Sequence, residues 1–283
     1  MSLSSPRWRS LLFVPGDNLK HLEKVHERGA DAVIIDFEDA VAPEAKPRAR
    51  EIFRDVAPVL AAQGVDVLVR LNAEWRLAFA DLDAVVSSDL RALVVPKVEG
   101  PERLLALGEL IGEFEAERGL RPGAIGLVAL IESPASLARL AAIAAVPRVI
   151  GLALGSEDFS LGLGVAPTSA SLDLPCRLIA LAAASQSLMA LGLPISIGEF
   201  RRLDAYREAA LAARAAGLTG ALCIHPAQVA VINEVFAPGA AERARAQRIV
   251  EAWDASGGKA VLQIDGAMVD LPVVLRARRI LAC

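Results

Sequence analysis

The feature that most constrains the fold is a regular alternation of short apolar runs with longer helical segments. Eight apolar runs, each typical of a buried strand, are followed by segments with helical spacing within about 240 residues. Because right-handed crossovers make successive strands parallel, eight such units predict a closed (β/α)8 TIM barrel. An open doubly wound sheet is the alternative, although no GxGxxG follows the first strand. The strands are predicted at 11–14, 32–37, 66–71, 92–95, 126–131, 149–154, 194–197 and 221–224, and the helices include 18–28, 134–145 and 174–191.

Residues 239–283 do not continue this repeat. A helical segment at 240–255 is followed by Ser256-Gly257-Gly258, which breaks helices, and residues 260–270 resemble a hairpin with Asp265-Gly266 at its turn. A last helix is predicted at 272–281. We therefore expect a barrel domain over residues 1–238 and a C-terminal helix-hairpin extension that forms a lid over a neighbouring subunit's active site.

Composition excludes several classes of protein. With 54% apolar residues in a chain of 283, a large core can be buried. The net charge of −4 and the 4% of aromatic residues argue against nucleic acid as a partner. Three separated cysteines, Cys176, Cys223 and Cys283, indicate neither a disulfide framework nor a zinc site. No apolar stretch is long enough for a signal peptide or a membrane span, so we expect a cytoplasmic protein with no membrane partner.

Two carboxylates follow two of the predicted strands. Glu132 comes directly after residues 126–131, and Asp158 follows residues 149–154. Because one helical crossover joins these strands, the two acids are expected at neighbouring strand ends, where they repel unless a cation or a proton lies between them. This arrangement predicts a Mg²⁺ site. The alternative is that each acid only caps the helix that follows it, as Glu132 before Ser133-Pro134 could do.

Other charged residues stand at the carboxyl ends of neighbouring strands. Arg70 ends the third strand, and a permanently charged guanidinium there must pair with an acid or receive an anionic ligand. Glu38 and Asp39, after the second strand, could satisfy it structurally. Beside a metal, the same guanidinium is suited to an oxygen that becomes negatively charged during a reaction. Lys97, after the fourth strand, is a weaker candidate and could partner the acids.

Several ordered motifs carry a family resemblance. Together they resemble, from residue 9 to residue 280, the citrate lyase beta-subunit-like branch of the HpcH/HpaI aldolase superfamily. The set is specific as an ordered series, although each short motif alone is weak. The motifs are RSLLFVPGDN (9–18), GADAVIIDFEDAVAPEAKPRAR (29–50), VRLN (69–72), VPKVE (95–99), LIESP (130–134), GSEDF (155–159), IHPAQ (224–228) and INEVFAP (232–238).

The resemblance implies a metal-dependent carbon–carbon lyase. Such an enzyme breaks or forms the bond between an acyl-CoA enolate and a small 2-oxo acid, with malyl-, citramalyl- or citryl-CoA as examples of the thioester. It uses Mg²⁺, with Mn²⁺ as an alternative, and is expected to be a homo-oligomer, either a trimer or a hexamer. The expected partners are therefore a small 2-oxo acid and a CoA thioester.

The candidate residues fall into three groups. The resemblance places the metal on two acids, Arg70 on the substrate carbonyl, the loop 16–20 near CoA, and Asp270 in a neighbouring active site. The candidates are Arg70, Asp270, Glu38 and Asp39 for catalysis; Arg70, Gly16, Lys20 and Lys97 for substrate binding; and Glu132 and Asp158 for the metal.

The chain departs from the family pattern around the last two strands. Residues 217–221 lack a lysine that relatives commonly carry, and Ser196-Ile197-Gly198 stands where many members have an aspartate. These departures concern the substrate more than the metal. His225 is interpreted as structural, because Pro226 starts a helix directly after it. Two alternatives stay open: a thioester hydrolase on the same scaffold, or the beta subunit of a multi-subunit citrate lyase that acts on an acyl carrier protein.

Overall fold

The first 236 residues contain eight parallel strands that alternate with helices. The structure is a computed structural model that describes residues 7–257 and 261–282. The strands are β1 (Ser10–Pro15), β2 (Ala32–Asp36), β3 (Asp66–Arg70), β4 (Leu90–Val95), β5 (Gly126–Ile131), β6 (Val149–Leu154), β7 (Met189–Leu191) and β8 (Ala221–Cys223). The helices are α1 (Leu19–Leu22), α2 (Lys46–Ala62), α3 (Trp75–Val85), α4 (Pro101–Glu117), α5 (Pro134–Ala138), α6 (Leu140–Ala144), α7 (Ser156–Leu163), α8 (Ser169–Ser185), α9 (Leu203–Ala216) and α10 (Pro226–Phe236).

The strands close into a barrel. From β1 to β7 each strand pairs with its sequence neighbours, and β1 also pairs with β8 in parallel, with Ser10 opposite Ala221. Between β7 and β8 a single parallel bridge joins Leu191 to Gly220, and the Gly192 N–H donates to the Gly220 carbonyl at 3.0 Å. The predicted TIM barrel is therefore confirmed, and the doubly wound sheet is excluded.

The barrel has two apolar layers because side chains alternate along each strand. Residues such as Ile34, Leu68 and Val128 belong to a cluster of strand side chains, whereas Val33, Val67 and Leu127 belong to the larger cluster that includes the helices. Because all eight strands are parallel, their carboxyl ends lie at one mouth, where loops can carry polar side chains without loss of core.

The predicted seventh strand was wrong. The sequence suggested a helix over 174–191 and a strand at 194–197, but α8 ends at Ser185 and the strand is Met189–Leu191. Ser187 has a φ of 58°, which reverses the chain after the helix. Residues 194–197 therefore belong to the loop that follows β7 at the mouth.

Among the described residues, no helix combines the length and apolar character that crossing a bilayer requires.

Two predicted helices are broken. The segment 18–28 contains only α1 and a 3₁₀ turn at Val25–Arg28, with Lys24 outside helical geometry between them. The segment 134–145 divides into α5 and α6 at Arg139, whose side chain pairs with Glu102 at the start of α4. In both places the apolar spacing of a helix is present, but the backbone turns within it.

The C-terminal unit is a small helix-hairpin structure. It contains α11 (Ala240–Ala255), β9 (Leu262–Ile264), β10 (Ala267–Val269) and α12 (Leu271–Leu281). The chain divides into two compact units after Phe236, and this is the second of them. Asp265 and Gly266 both have positive φ, as a two-residue hairpin turn requires. Gly258 of the predicted break, Ala260 of the predicted hairpin and Cys283 lie outside the described residues. The predicted lid role stays a prediction.

Candidate active site

A cavity of about 430 Å³ opens among the carboxyl ends of the strands. Its walls come from the ends of β1, β2, β3, β5, β6 and β8 and from the loop after β7. Five carboxylates and one guanidinium line it, so its formal charge is strongly negative. The lining residues are Phe13, Pro15, Asp36, Asp39, Ala40, Arg70, Leu130, Glu132, Leu154, Gly155, Ser156, Glu157, Asp158, Ile197, Leu222 and Ile224.

Arg70 is held by a bidentate ion pair with Asp36. Its Nε and Nη2 donate to the two oxygens of Asp36, both at 2.7 Å, and its guanidinium lies 5.2 Å from the ring centre of Phe13. Strand register explains the pair, because Asp36 and Arg70 are opposite each other at the ends of β2 and β3. The Arg70 side chain is 13% exposed, and although burial opposes its charge, Asp36 and its neighbours raise the pKa of Arg70.

Glu38 lies between two cations. Its Oε2 is 3.0 Å from Nη1 of Arg70, and its Oε1 is 3.0 Å from Nζ of Lys97, but neither contact has hydrogen-bond geometry. Burial raises the pKa of Glu38 against the opposing effect of both cations. Asp39 is more exposed and lies 3.5 Å from Nη1 of Arg70. The predicted pairing of Arg70 with Glu38 and Asp39 is present, but Asp36 is its main partner.

Lys97 connects the two acidic groups of the mouth. Its φ of 52° is rare for a lysine, and its backbone N–H donates to Oε2 of Glu132 at 2.6 Å. Its side chain reaches Glu38. Burial opposes its charge, but Glu38 and Asp39 raise the pKa of Lys97, so it stays cationic at neutral pH. Lys97 is not among the residues that line the cavity.

Glu132 follows β5 directly and is buried. Ser133, rather than Glu132, caps α5, since its side chain accepts the Ser136 N–H in a capping box. The capping alternative therefore does not explain Glu132. A side chain at Gly155 would collide with Glu132, because its Cβ would lie 2.8 Å from Oε1. Burial, with repulsion from Glu38 and Asp158, raises the pKa of Glu132 to about 7.

Asp158 lies in the first turn of α7, rather than at the strand end that the sequence suggested. It lines the same cavity as Glu132. Within the described parts of the chain, no group of three or more His, Cys, Asp or Glu side chains could hold a metal ion. Two carboxylates suit Mg²⁺, which keeps several waters or ligand oxygens in its shell. The acids present and the excess of negative charge therefore fit Mg²⁺.

The remaining predicted residues lie elsewhere. Gly16 is buried against Phe37 and does not line the cavity, and Lys20 is exposed on the short helix α1. Asp270 caps α12 in the C-terminal unit, where its Oδ1 accepts the Val273 N–H at 3.3 Å. His225 stacks on Phe200, with ring centres 5.0 Å apart, outside the lining.

Several supporting residues were not identified from the sequence. Nζ of the buried Lys46 donates to the carbonyls of Phe37 and Glu38 at 2.8 and 2.9 Å and also to Asn72, which fixes the loop after β2. The backbone and side-chain nitrogens of Asn72 in turn donate to Asp81 at 2.9 and 2.8 Å. Asp36 had a visible signal, since it ends the second strand beside Arg70. The other contacts join distant segments and leave no local pattern.

The fold and the cavity together define a class of protein: a (β/α)8 barrel with an acidic site at its carboxyl mouth, suited to a divalent cation and a small oxygen-rich ligand. The chain belongs to the HpcH/HpaI aldolase/citrate lyase family, whose model matches residues 9–226. This family consists of enzymes.

Individual relatives align over nearly the whole chain. The citrate lyase subunit beta-like protein of Deinococcus radiodurans is 34% identical and covers 97% of this chain and 96% of its own. A (3S)-malyl-CoA thioesterase of Cereibacter sphaeroides is 31% identical, with 97% and 94% covered. The structure of protein CitE from Mycobacterium tuberculosis, with magnesium, acetoacetate and coenzyme A, has a TM-score of 0.76 at 27% identity and 97% coverage of both chains.

The raised pKa of Glu132 predicts a cost to stability in the metal-free protein. An unfolded glutamate ionises near pH 4.5, whereas folded Glu132 stays protonated to about pH 7. The folded state therefore binds the extra proton, and its stability falls as pH rises from about 4.5 to above 7. Because Gln cannot ionise, Glu132→Gln should be more stable than the wild type at pH 8 by about 3 kcal/mol at most, and nearly equal at pH 4.5.

Chemical unfolding in the presence of chelator, across this pH range, measures the difference. Equal pH profiles for the two proteins would mean that Glu132 ionises normally in the fold.

Proposed function

We propose that this protein is a Mg²⁺-dependent carbon–carbon lyase that cleaves, or forms, a 3-hydroxyacyl-CoA thioester to give a 2-oxo acid and acetyl-CoA. The proposal rests on the observation that Glu132, Asp158 and Arg70 line the same cavity. The relatives support the same chemistry, since one bears the name of a lyase subunit and a CitE structure contains magnesium and coenzyme A.

The metal is proposed to bind Glu132 and Asp158. When bound, Mg²⁺ supplies Lewis-acid stabilisation of the negative charge that develops on the substrate oxygen. Arg70 provides the second cationic contact. Because Asp36 occupies its Nε and Nη2, the nitrogen left for a substrate is Nη1, which points toward Glu38 and Asp39. A guanidinium fixed in this way needs no reorganisation when charge develops on an oxygen beside it.

Cleavage requires two proton transfers. The hydroxyl proton of the thioester must leave as the carbon–carbon bond breaks and the new carbonyl forms, and the α-carbon of the released enolate must gain a proton. Asp39 lines the cavity and is exposed enough to exchange protons with solvent, so we assign it the first transfer. Glu38 sets the charge balance of Arg70 and Lys97. We assign the second transfer to Asp270 of a neighbouring subunit.

The acyl carrier is proposed to be CoA. The loop 16–20 follows β1 at the mouth, and exposed Lys20 can meet a phosphate there. An acyl carrier protein, as in a multi-subunit citrate lyase, is the alternative carrier. A thioester hydrolase is the second candidate reaction, because a malyl-CoA thioesterase is among the relatives.

Product analysis tests the proposed reaction. The purified protein is incubated with malyl-, citramalyl- and citryl-CoA, with Mg²⁺ or with chelator. A lyase releases a 2-oxo acid and acetyl-CoA, whereas a hydrolase releases the hydroxy acid and free CoA thiol. We expect 2-oxo acid only when Mg²⁺ is present.

Substitution of the two proposed metal ligands tests the metal assignment in the same experiment. Asp158→Asn and Glu132→Ala should lose both activity and the rise in melting temperature that Mg²⁺ produces. Asp204→Asn is the matched control, because Asp204 also lies in the first turn of a helix, α9, but does not line the cavity. Full activity in chelator would contradict the assignment.

Arg70 and Arg148 allow a catalytic role to be separated from a structural one. Both guanidiniums bind the two oxygens of a buried carboxylate, Asp36 and Glu115, and their side chains are 13% and 16% exposed. Lys cannot reproduce a bidentate fork, so Arg70→Lys and Arg148→Lys should both lower the melting temperature, and Arg148 does not line the cavity. Only Arg70→Lys should also lower kcat, by about 10²-fold, as for removal of one oxyanion donor. Similar kcat values for the two variants would leave Arg70 a structural residue.

Asp270 is tested by a substitution that preserves its cap. Asn caps a helix about as well as Asp but cannot accept a proton, so Asp270→Asn should keep its melting temperature and lose deuterium exchange at the acetyl-CoA methyl group. Mixing it with Glu132→Ala under conditions that exchange subunits should restore part of the activity. If exchange is verified and no activity returns, Asp270 does not act on a neighbouring subunit.

A further inference from the structure

One side of the cavity is apolar. We define the apolar wall as Leu154, Ile197, Leu222 and Ile224, which come from the end of β6, the loop after β7, and β8 with the residue that follows it. Ile197 packs against the cluster of strand side chains described above, which includes Leu222. The wall stands apart from the side of the mouth that carries Asp36, Arg70 and Lys97.

The backbone of the wall has no N–H group left for a ligand at its two loop residues. The Ile197 N–H donates to Oγ of Ser156 at 3.0 Å, and the Ile197 carbonyl accepts from Gln228 at 2.8 Å. The Ile224 N–H donates to Oε1 of Gln228 at 2.8 Å. Gln228 is fully buried, so it fixes both isoleucines in place. The backbone at these two residues is therefore engaged, and the wall offers hydrocarbon to a ligand.

The hydroxyl groups beside the wall are also engaged. Ser156 and Ser196 both donate to Oε1 of Glu157, at 3.2 and 2.7 Å. A ligand carboxylate at this side would meet the like charge of Glu157, and the hydroxyl protons of both serines are already donated to Glu157. The one cation that lines the cavity among the described residues, Arg70, is already paired with Asp36.

We infer that the cavity selects a 2-oxo acid whose substituent is uncharged and apolar, such as a methyl or larger alkyl group, over one that carries a second carboxylate. The inference rests on the proposed function, because it takes a 2-oxo acid as the ligand. The acid's own carboxylate and oxo group bind at the charged side, and its substituent lies against the apolar wall. Each buried methylene contributes about fourfold in affinity, whereas a second carboxylate adds repulsion without a partner.

Two ligands of equal size test the inference. Oxaloacetate carries CH₂COO⁻ on its oxo carbon, and 4-methyl-2-oxopentanoate carries an isopropyl group in place of that carboxylate. Calorimetric titration of the Mg²⁺-loaded protein with each, and with pyruvate, gives the dissociation constants. We expect oxaloacetate to bind at least about tenfold more weakly than its alkyl isostere. Equal or tighter binding of oxaloacetate would overturn the inference.

A lysine introduced into the apolar wall tests whether the substituent of the 2-oxo acid binds there. Ile197→Lys should narrow or invert the ratio of the two constants, because the new ammonium can pair with the second carboxylate. Leu211→Lys adds the same charge on the exposed face of α9 and should leave the ratio unchanged. If folded Ile197→Lys keeps the wild-type ratio, the substituent does not lie at the apolar wall.

The readout separates this inference from the proposed reaction. If the protein shows the binding preference but cleaves no thioester, the proposed lyase activity is refuted and the inference stands. Faster release of oxaloacetate from citryl-CoA than of pyruvate from citramalyl-CoA keeps the lyase and overturns the inference.

Discussion

The ion pair of Arg70 with Asp36 governs the mouth of this barrel. It joins two neighbouring strand ends, neutralises one of the carboxylates that line the cavity, and turns the remaining nitrogen of the guanidinium toward Glu38 and Asp39. Without it, an acidic cavity would hold a buried aspartate with no counter-charge, which is costly in a low-dielectric site. The pair is therefore both a structural contact and the means by which Arg70 is aimed.

The acidic groups are held by contacts that begin far from the cavity. Arg50 on α2 donates to Asp81 on α3, Asp81 accepts from Asn72 after β3, and Asn72 accepts from Lys46, which holds the loop of Glu38. On the other side, Lys97 uses its backbone for Glu132 and its side chain for Glu38. The positions of the two acidic groups are thus coupled through the loop after β4. Such support is what a site needs if its charges are to stay in place while ligands change.

The sequence predicted the barrel well because most of its strands are long apolar runs that end at turns. It failed at β7, since Met189–Leu191 is only three residues long and continues the alanine-rich pattern of α8. Glu132 and Arg70 could be found because each directly follows or ends a buried strand. The left-handed backbone of Lys97 and the hydrogen bonds of Gln228 could not, because they depend on residues that are remote in the chain. Asp158 was found from its spacing, although its place on α7 was not.

Closure of the barrel between β1 and β8 also determines how the chain can fold during synthesis. Ser10 pairs with Ala221, so the first strand waits for the last before its second edge is covered. At a synthesis rate of about 5–20 residues per second, this interval is on the order of ten to forty seconds. Throughout it, β1 and then each new strand present unpaired N–H and C=O groups, which are templates for aggregation. The nascent chain therefore depends on protection of these unpaired strand edges, by its own helices or by a chaperone, until residue 221 has left the ribosome.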